Sequence, residues 1–382
     1  MKQKLSSEIK RYSNSRRFIL TAALIIIAFV VGWFVSSYTT PYQPPKNDTA
    51  FFDSNSETND HAIIRAKVIS SSEVTLLDGD RAGQNIEVDS TRLNVQKGGT
   101  VLLSQDGQDV SRYASFEVWR FPGLVILALI LVVAVTIVSG MRGFMSLGGL
   151  VFSIVVIGAY VIPMILNGAD AFLVCISAAY IIAFVSLFIA HGLTFRTLVS
   201  VMSVFVVLGV VVLLSVIGVQ IGQLTGVYDE TSSILAANKF RIDMYGVLLG
   251  SIIIATLGIL DDVVTTQVAA VDEIKKANST LGMKELFVRG YSVGNEHIAA
   301  LINTLALAYI GVSLPTVLSI AGSLDVFHSP YLILNMEYIA QEIVRTLVSS
   351  LGLVLAVPVS TAMAALLIHN KPRIVAIIRR TN

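Results

Sequence analysis

FPGLVILALILVVAVTIVSG, Phe121–Gly140, is the stretch on which the architecture turns. It carries no charge and no polar face, and at about 1.5 Å rise per residue such a run matches a hydrocarbon core roughly 30 Å thick. Working outward, comparable runs recur at Leu147–Leu166, Ala171–Ala190, Leu198–Ile221, Met244–Leu260, Ile298–Ala321 and Thr346–Ile368. On the other side lies Phe18–Val35, behind a basic head of Lys2, Lys4, Lys10, Arg11, Arg16 and Arg17. That run is longer than a signal-peptide core, and Ser36-Ser37-Tyr38 offers no small-x-small cleavage site, so it reads as an uncleaved anchor. The eight runs predict a mainly α membrane protein with about eight transmembrane helices.

Composition agrees. Apolar residues make up 54% of the 382 and charged residues 14%, against about a quarter charged in soluble domains. That balance excludes an ordinary soluble protein, and a net charge of +1 gives no reason to expect a nucleic-acid partner. The single cysteine, Cys175, sits inside an apolar run, which excludes a disulfide framework or a cysteine metal site within one chain.

Orientation follows from the basic residues of the short loops. With the N-terminus inside, the inner segments hold Arg142, His191, Arg196, Lys275, Lys276, Lys284, Arg289, Lys371, Arg373, Arg379 and Arg380, whereas the short outer loops hold Lys239 and Arg241. Both termini are therefore expected in the cytoplasm of a plasma-membrane protein. The expected order is a basic tail (1–17), an anchor (18–36), a flexible linker rich in Pro, Asn and Ser (37–60), an extracytoplasmic domain (61–118), a seven-helix block (119–370) and a second basic tail (371–382). Within 61–118, Ala62–Ile69, Glu73–Leu77, Gln84–Val88 and Thr100–Ser104 read as short strands separated by turn signals such as Asp78-Gly79-Asp80 and Gly98-Gly99. They suggest a small β-rich domain, OB-like or a barrel, acting as a membrane cap or as a binder of a ligand or partner.

Ionisable residues at membrane depth are costly and therefore candidates for function. Four of the runs, from Phe121 to Ile221, contain none, and their Gly and Ser suit close helix packing. The sixth differs: Leu260 is followed at once by Asp261 and Asp262, with no helix breaker before Lys275-Lys276. On a 3.6-residue period Asp261, Asp262, Thr265, Thr266, Asp272 and Glu273 line one side, opposite Val263, Val264, Ala270, Val271 and Ile274. This stripe has two readings: the wet side of an interfacial helix, or a cation or proton site facing the bundle. The seventh run opens on Glu296-His297, and Glu296, Ala300, Asn303 and Leu307 share a face. Since it starts on the side where the sixth ends, Asp261, Asp262 and Thr265 are placed to meet Glu296, His297 and Asn303. Carboxylates with an imidazole suit a proton relay, and less specifically a metal ion. Glu342 and Arg345, three apart, are expected to form a structural pair, and Pro358 interrupts the backbone bonding of the last helix.

Five motifs resemble the YibE/F family of multi-pass membrane proteins: GILDDVVTTQ (Gly258–Gln267), EHIAALINTL (Glu296–Leu305), GVSLP (Gly311–Pro315), QEIVRTLV (Gln341–Val348) and GLVLAVP (Gly352–Pro358). The likeness covers nearly all of 18–370 and departs at Asn295-Glu296-His297, where the family pattern has Arg-Asp-His. It implies the anchor, outer β-rich region and block of spans, but no established chemistry. The layout is also similar to one half of the resistance-nodulation-division exporters, an analogy of plan.

Two functions follow as expectations. One is a secondary transporter or ion-coupled permease with an acidic site between spans six and seven. The other is a membrane scaffold or sensor whose outer domain binds an envelope component or partner protein. An enzyme is not expected: His-Glu-x-x-His and phosphate-loop motifs are missing. No cofactor is expected. The expected partners are membrane lipid, a small solute or ion, and a second related chain or a copy of this one.

Overall fold

The computed structural model describes residues 63–70, 73–79, 81–88, 97–105, 113–237, 242–323 and 330–371. The anchor expected at 18–36, the linker and both tails lie outside the described residues, apart from Lys371. The chain divides into two compact units, one ending at Gly140 and one running on from Met141.

The first unit holds the four expected strands, β1 (Ile63–Val68), β2 (Glu73–Leu76), β3 (Asn85–Glu87) and β4 (Thr100–Gln105), and a fifth that was not expected, β5 (Tyr113–Val118). All pair antiparallel in the order β3-β2-β1-β4-β5. The period of two buries Ile64, Ala66 and Val68 of β1, Val74 and Leu76 of β2, and Val101 and Leu103 of β4, on one face. β5 pairs with β4 across a bulge at Leu102/Leu103. Among the described residues β3 and β5 stand at the two ends of that order and are not paired with each other. Arg65 Nε and Nη2 grip both oxygens of Asp78, at 2.7 and 2.8 Å, on the exposed face. That hydrogen-bonded pairing holds the Asp78 carboxyl below its ordinary value.

The long helices begin with α1 (Phe121–Val156). A single π-helical turn, Ile157–Val161, joins it to α2 (Ile162–Leu166), giving a 46-residue apolar run that contains the second and third predicted spans. At about 20 residues per crossing, such a run is long enough for two. It is broken at Gly140 (φ 61°, ψ −148°), a conformation only glycine adopts without strain. Up to that break nearly every side chain is exposed although apolar, as befits a helix facing lipid.

The second unit continues with α3 (Ala171–His191), α4 (Phe195–Ile221), the short α5 (Glu230–Ala237), α6 (Met244–Ala277), α7 (Met283–Ser323), the short α8 (Pro330–Leu334) and α9 (Glu337–His369). Among the described residues, six helical runs are thus long and apolar enough to cross a membrane. α6 packs against α3, α4, α7 and α9, and α9 also packs against α4 and α7. With no net hydrophobic drive between helices in lipid, close approach over small residues supplies the contact. A Cβ on Gly218 of α4 would stand 2.7 Å from Val348 of α9, and one on Gly352 of α9 would stand 2.7 Å from Val211 of α4. Gly250 of α6 likewise receives the Cys175 side chain of α3. Hydroxyls in this packing are satisfied locally: Ser203 and Ser215 bond their own i−4 carbonyls, and Thr256 meets Ser349 of α9 at 2.7 Å.

Candidate functional site

No proline or glycine falls between Gly258 and Ala277, so α6 continues unbroken past the end of its apolar stretch. Asp261 therefore stands well inside a helix, about 26 Å along the axis from Met244. One face of that helix, with Leu260, Val263, Val264, Gln267, Val268 and Val271, is buried. Asp261 occupies the margin of this face and turns toward α3. There Ser186 Oγ donates to Asp261 Oδ2 at 3.3 Å. Gly149 of α1 lets the chains come together here, since a Cβ on it would lie 3.4 Å from Ser186. The second oxygen, Asp261 Oδ1, is sealed from solvent with no hydrogen-bond partner among the described residues.

Asp262, one step further around the helix, is exposed. Thr265 Oγ1 donates to the carbonyls of Asp261 (2.8 Å) and Asp262 (3.2 Å), so its hydroxyl serves the backbone. On α7, Glu296 and Asn303 are exposed, while the His297 side chain lies outside the described residues. Among the described residues no hydrogen bond or ion pair joins these groups to Asp261 or Asp262; the acid's polar partner is on α3 instead. No group of three or more His, Cys, Asp or Glu placed to hold a metal ion occurs among them either.

One turn from Asp261 toward the C-terminal end of α6, a pocket of about 180 Å³ is lined by Thr265, Thr266, His191, Arg196, Thr197 and Ser200. His191, Arg196 and Thr197 also line a cleft of about 940 Å³ at that end of the bundle. Polar groups thus run from an open cleft to within a helical turn of the sealed carboxylate.

Two polar features hold the helices around this site. Gln267, 3% exposed, donates through Nε2 to Gly290 O of α7 and to Thr361 Oγ1 of α9, each at 2.7 Å. A Cβ on Gly294 would stand 2.6 Å from Gln267 Oε1, so glycine there admits the amide between three helices. Gln267 drew no notice as a site residue, because one amide in an apolar helix carries no local signal of its partners. Toward the opposite end of α6, Glu342 and Arg345 form the expected ion pair within α9. Arg345 Nη2 also donates to Ser251 Oγ of α6 at 3.1 Å. Nearby Glu337 Oε1 accepts from the Thr225 and Gly226 amides, at 2.8 and 3.1 Å, tying the α4–α5 loop to the start of α9.

The family model described as YibE/F-like protein matches residues 127–370, which takes in every helix of the second unit and the whole of this site. No curated protein matches the chain, nor does any solved structure.

Proposed function

The chain belongs to the YibE/F family, and we propose that it is a secondary transporter or ion-coupled permease of the plasma membrane, with Asp261 as the group that takes up and releases a proton or small cation. One observation carries this reading: a carboxylate well inside a membrane helix has one oxygen on Ser186 and the other buried without a partner. Such a group is expensive at depth, by a few kcal/mol or more, and a purely structural role would have both oxygens satisfied. A cation or proton arriving at Oδ1 completes its coordination. The pocket beside Thr265 and the cleft beyond it bring water-sized space to within a helical turn of the acid. The basic residues at that end, Arg142, Arg196, Lys275 and Lys276 among them, support its placement in the cytoplasm with the termini.

The test is proton and cation flux in proteoliposomes under an imposed gradient, for the wild type, Asp261→Asn and Asp262→Asn. Flux is expected to vanish in Asp261→Asn and to persist in Asp262→Asn, whose carboxylate is exposed. Equal flux in all three would remove Asp261 from the mechanism. It would turn attention to the scaffold or sensor reading, in which deletion of 61–118 abolishes function.

A further inference from the structure

The 940 Å³ cleft has a charge pattern of its own. Four cations, Arg142, Arg196, Lys276 and Lys371, line it together with two carboxylates, Asp272 and Glu273. The carboxylates are already engaged: Lys276 Nζ lies 2.7 Å from Asp272 and 2.8 Å from Glu273, and Arg196 lies 3.9 Å from Glu273. Arg142 and Lys371 have no carboxylate within ion-pair distance among the described residues, and the Lys371 ammonium sits 5.3 Å from the Phe195 ring centroid. The cleft therefore presents an excess of two positive charges, contributed by α1, α4, α6 and Lys371, two residues beyond the end of α9.

The first turn of α4 adds donors. Thr194 caps the Thr197 amide at 3.1 Å and its carbonyl takes the Leu198 amide, whereas the amides of Phe195 and Arg196 have no acceptor among the described residues. Helix N-termini and guanidinium groups both favour tetrahedral oxyanions. The cleft is larger than a lone carboxylate would need, and Met141, Met145 and Phe195 give it an apolar wall.

We propose that this cleft binds a phosphate group, with Arg142 and Lys371 as its principal counter-charges. Two sources share that chemistry: the headgroup of an anionic phospholipid, whose chains would lie on the methionine wall, and free phosphate. The inference uses none of the chemistry assigned to Asp261 and stands or falls apart from it.

The experiment uses the purified full-length chain in a zwitterionic detergent. Retention of phosphatidylglycerol against phosphatidylcholine is read by native mass spectrometry, and binding of inorganic phosphate by calorimetry. Arg142→Gln/Lys371→Gln is expected to weaken binding about tenfold or more, as loss of charge-assisted contacts would. Lys284→Gln, an exposed charge outside the cleft, is expected to leave it unchanged. Glu273→Gln is expected to tighten it, by freeing Arg196 and removing one of the two carboxylates that engage Lys276. Retention of phosphatidylglycerol that inorganic phosphate does not displace assigns a lipid headgroup; phosphate binding without lipid preference assigns a soluble anion. Absence of both kinds of binding would overturn the proposal. So would a Lys284→Gln effect equal to that of the double variant, or a Glu273→Gln chain that binds no more tightly than wild type, a readout that survives even if the double variant fails to fold.

Discussion

Replacing Gln267 by Leu tests whether one buried amide staples the site together. The substitution keeps much of the volume and removes two interhelical bonds of 2.7 Å, to Gly290 O and Thr361 Oγ1. Thr361 retains a bond to Val357 O at 2.6 Å, so its hydroxyl is not orphaned. In a membrane such bonds average about 0.6 kcal/mol and reach about 1.7, so the loss is expected to be roughly 1–3 kcal/mol. Gln267→Ala should cost about 2 kcal/mol more, because a cavity opens between three helices. Thr361→Val removes one of the two bonds and is expected to cost roughly half as much as Gln267→Leu. The double variant should fall short of the sum, as coupled partners do. The chain carries its own probe: Cys175 is the only cysteine, buried in α3 against Gly250 of α6. Its reaction with a thiol-specific dye during heating or detergent denaturation reports loss of the α3–α6 contact. A Gln267→Leu chain that unfolds at the wild-type midpoint would refute the reasoning.

Two further outcomes are expected. Gly218→Leu puts a side chain where even a Cβ lies 2.7 Å from Val348; it should cost about 1–3 kcal/mol or more by overpacking and expose Cys175 earlier, and unchanged thiol protection would show that α9 can yield. In the sheet, hydrogen bonding to Arg65 lowers the Asp78 pKa and Arg120 does the same for Glu117. A carboxyl held low in the folded state contributes stability that is present above its unfolded value and is lost as pH falls through the folded one. Protection of the β1 and β2 amides in the full chain, relative to their intrinsic exchange at each pH, should therefore fall below about pH 4, less steeply in Asp78→Asn, and identical pH profiles would count against the pairing.

Much of the architecture was legible in local pattern. Uninterrupted apolar runs from Phe121 onward predict helices because a backbone in lipid must satisfy its own hydrogen bonds. The lack of any breaker after Leu260 was enough to carry α6 past Asp261, and period-two burial in β1 and β2 marked the sheet. The i, i+3 spacing of Glu342 and Arg345 likewise needed only one helix.

What the chain alone could not supply were partnerships across distance. The expected meeting of Asp261 with residues of the seventh span rested on the two helices sharing an end. The partner is Ser186, 75 positions earlier, and serine in an apolar helix is as common a packing residue as a ligand. Gln267, Gly290 and Thr361 are unremarkable one by one and meaningful only once three helices close on them. The basic cleft draws on segments from Met141 to Lys371, so its charge balance exists only after packing. Local sequence determines which segments become helices and strands, because backbone bonding and hydropathy act over a few residues. Tertiary packing decides which polar groups those segments turn toward one another, because neighbours on a helix surface are chosen by its azimuth and by the small residues that let another helix approach.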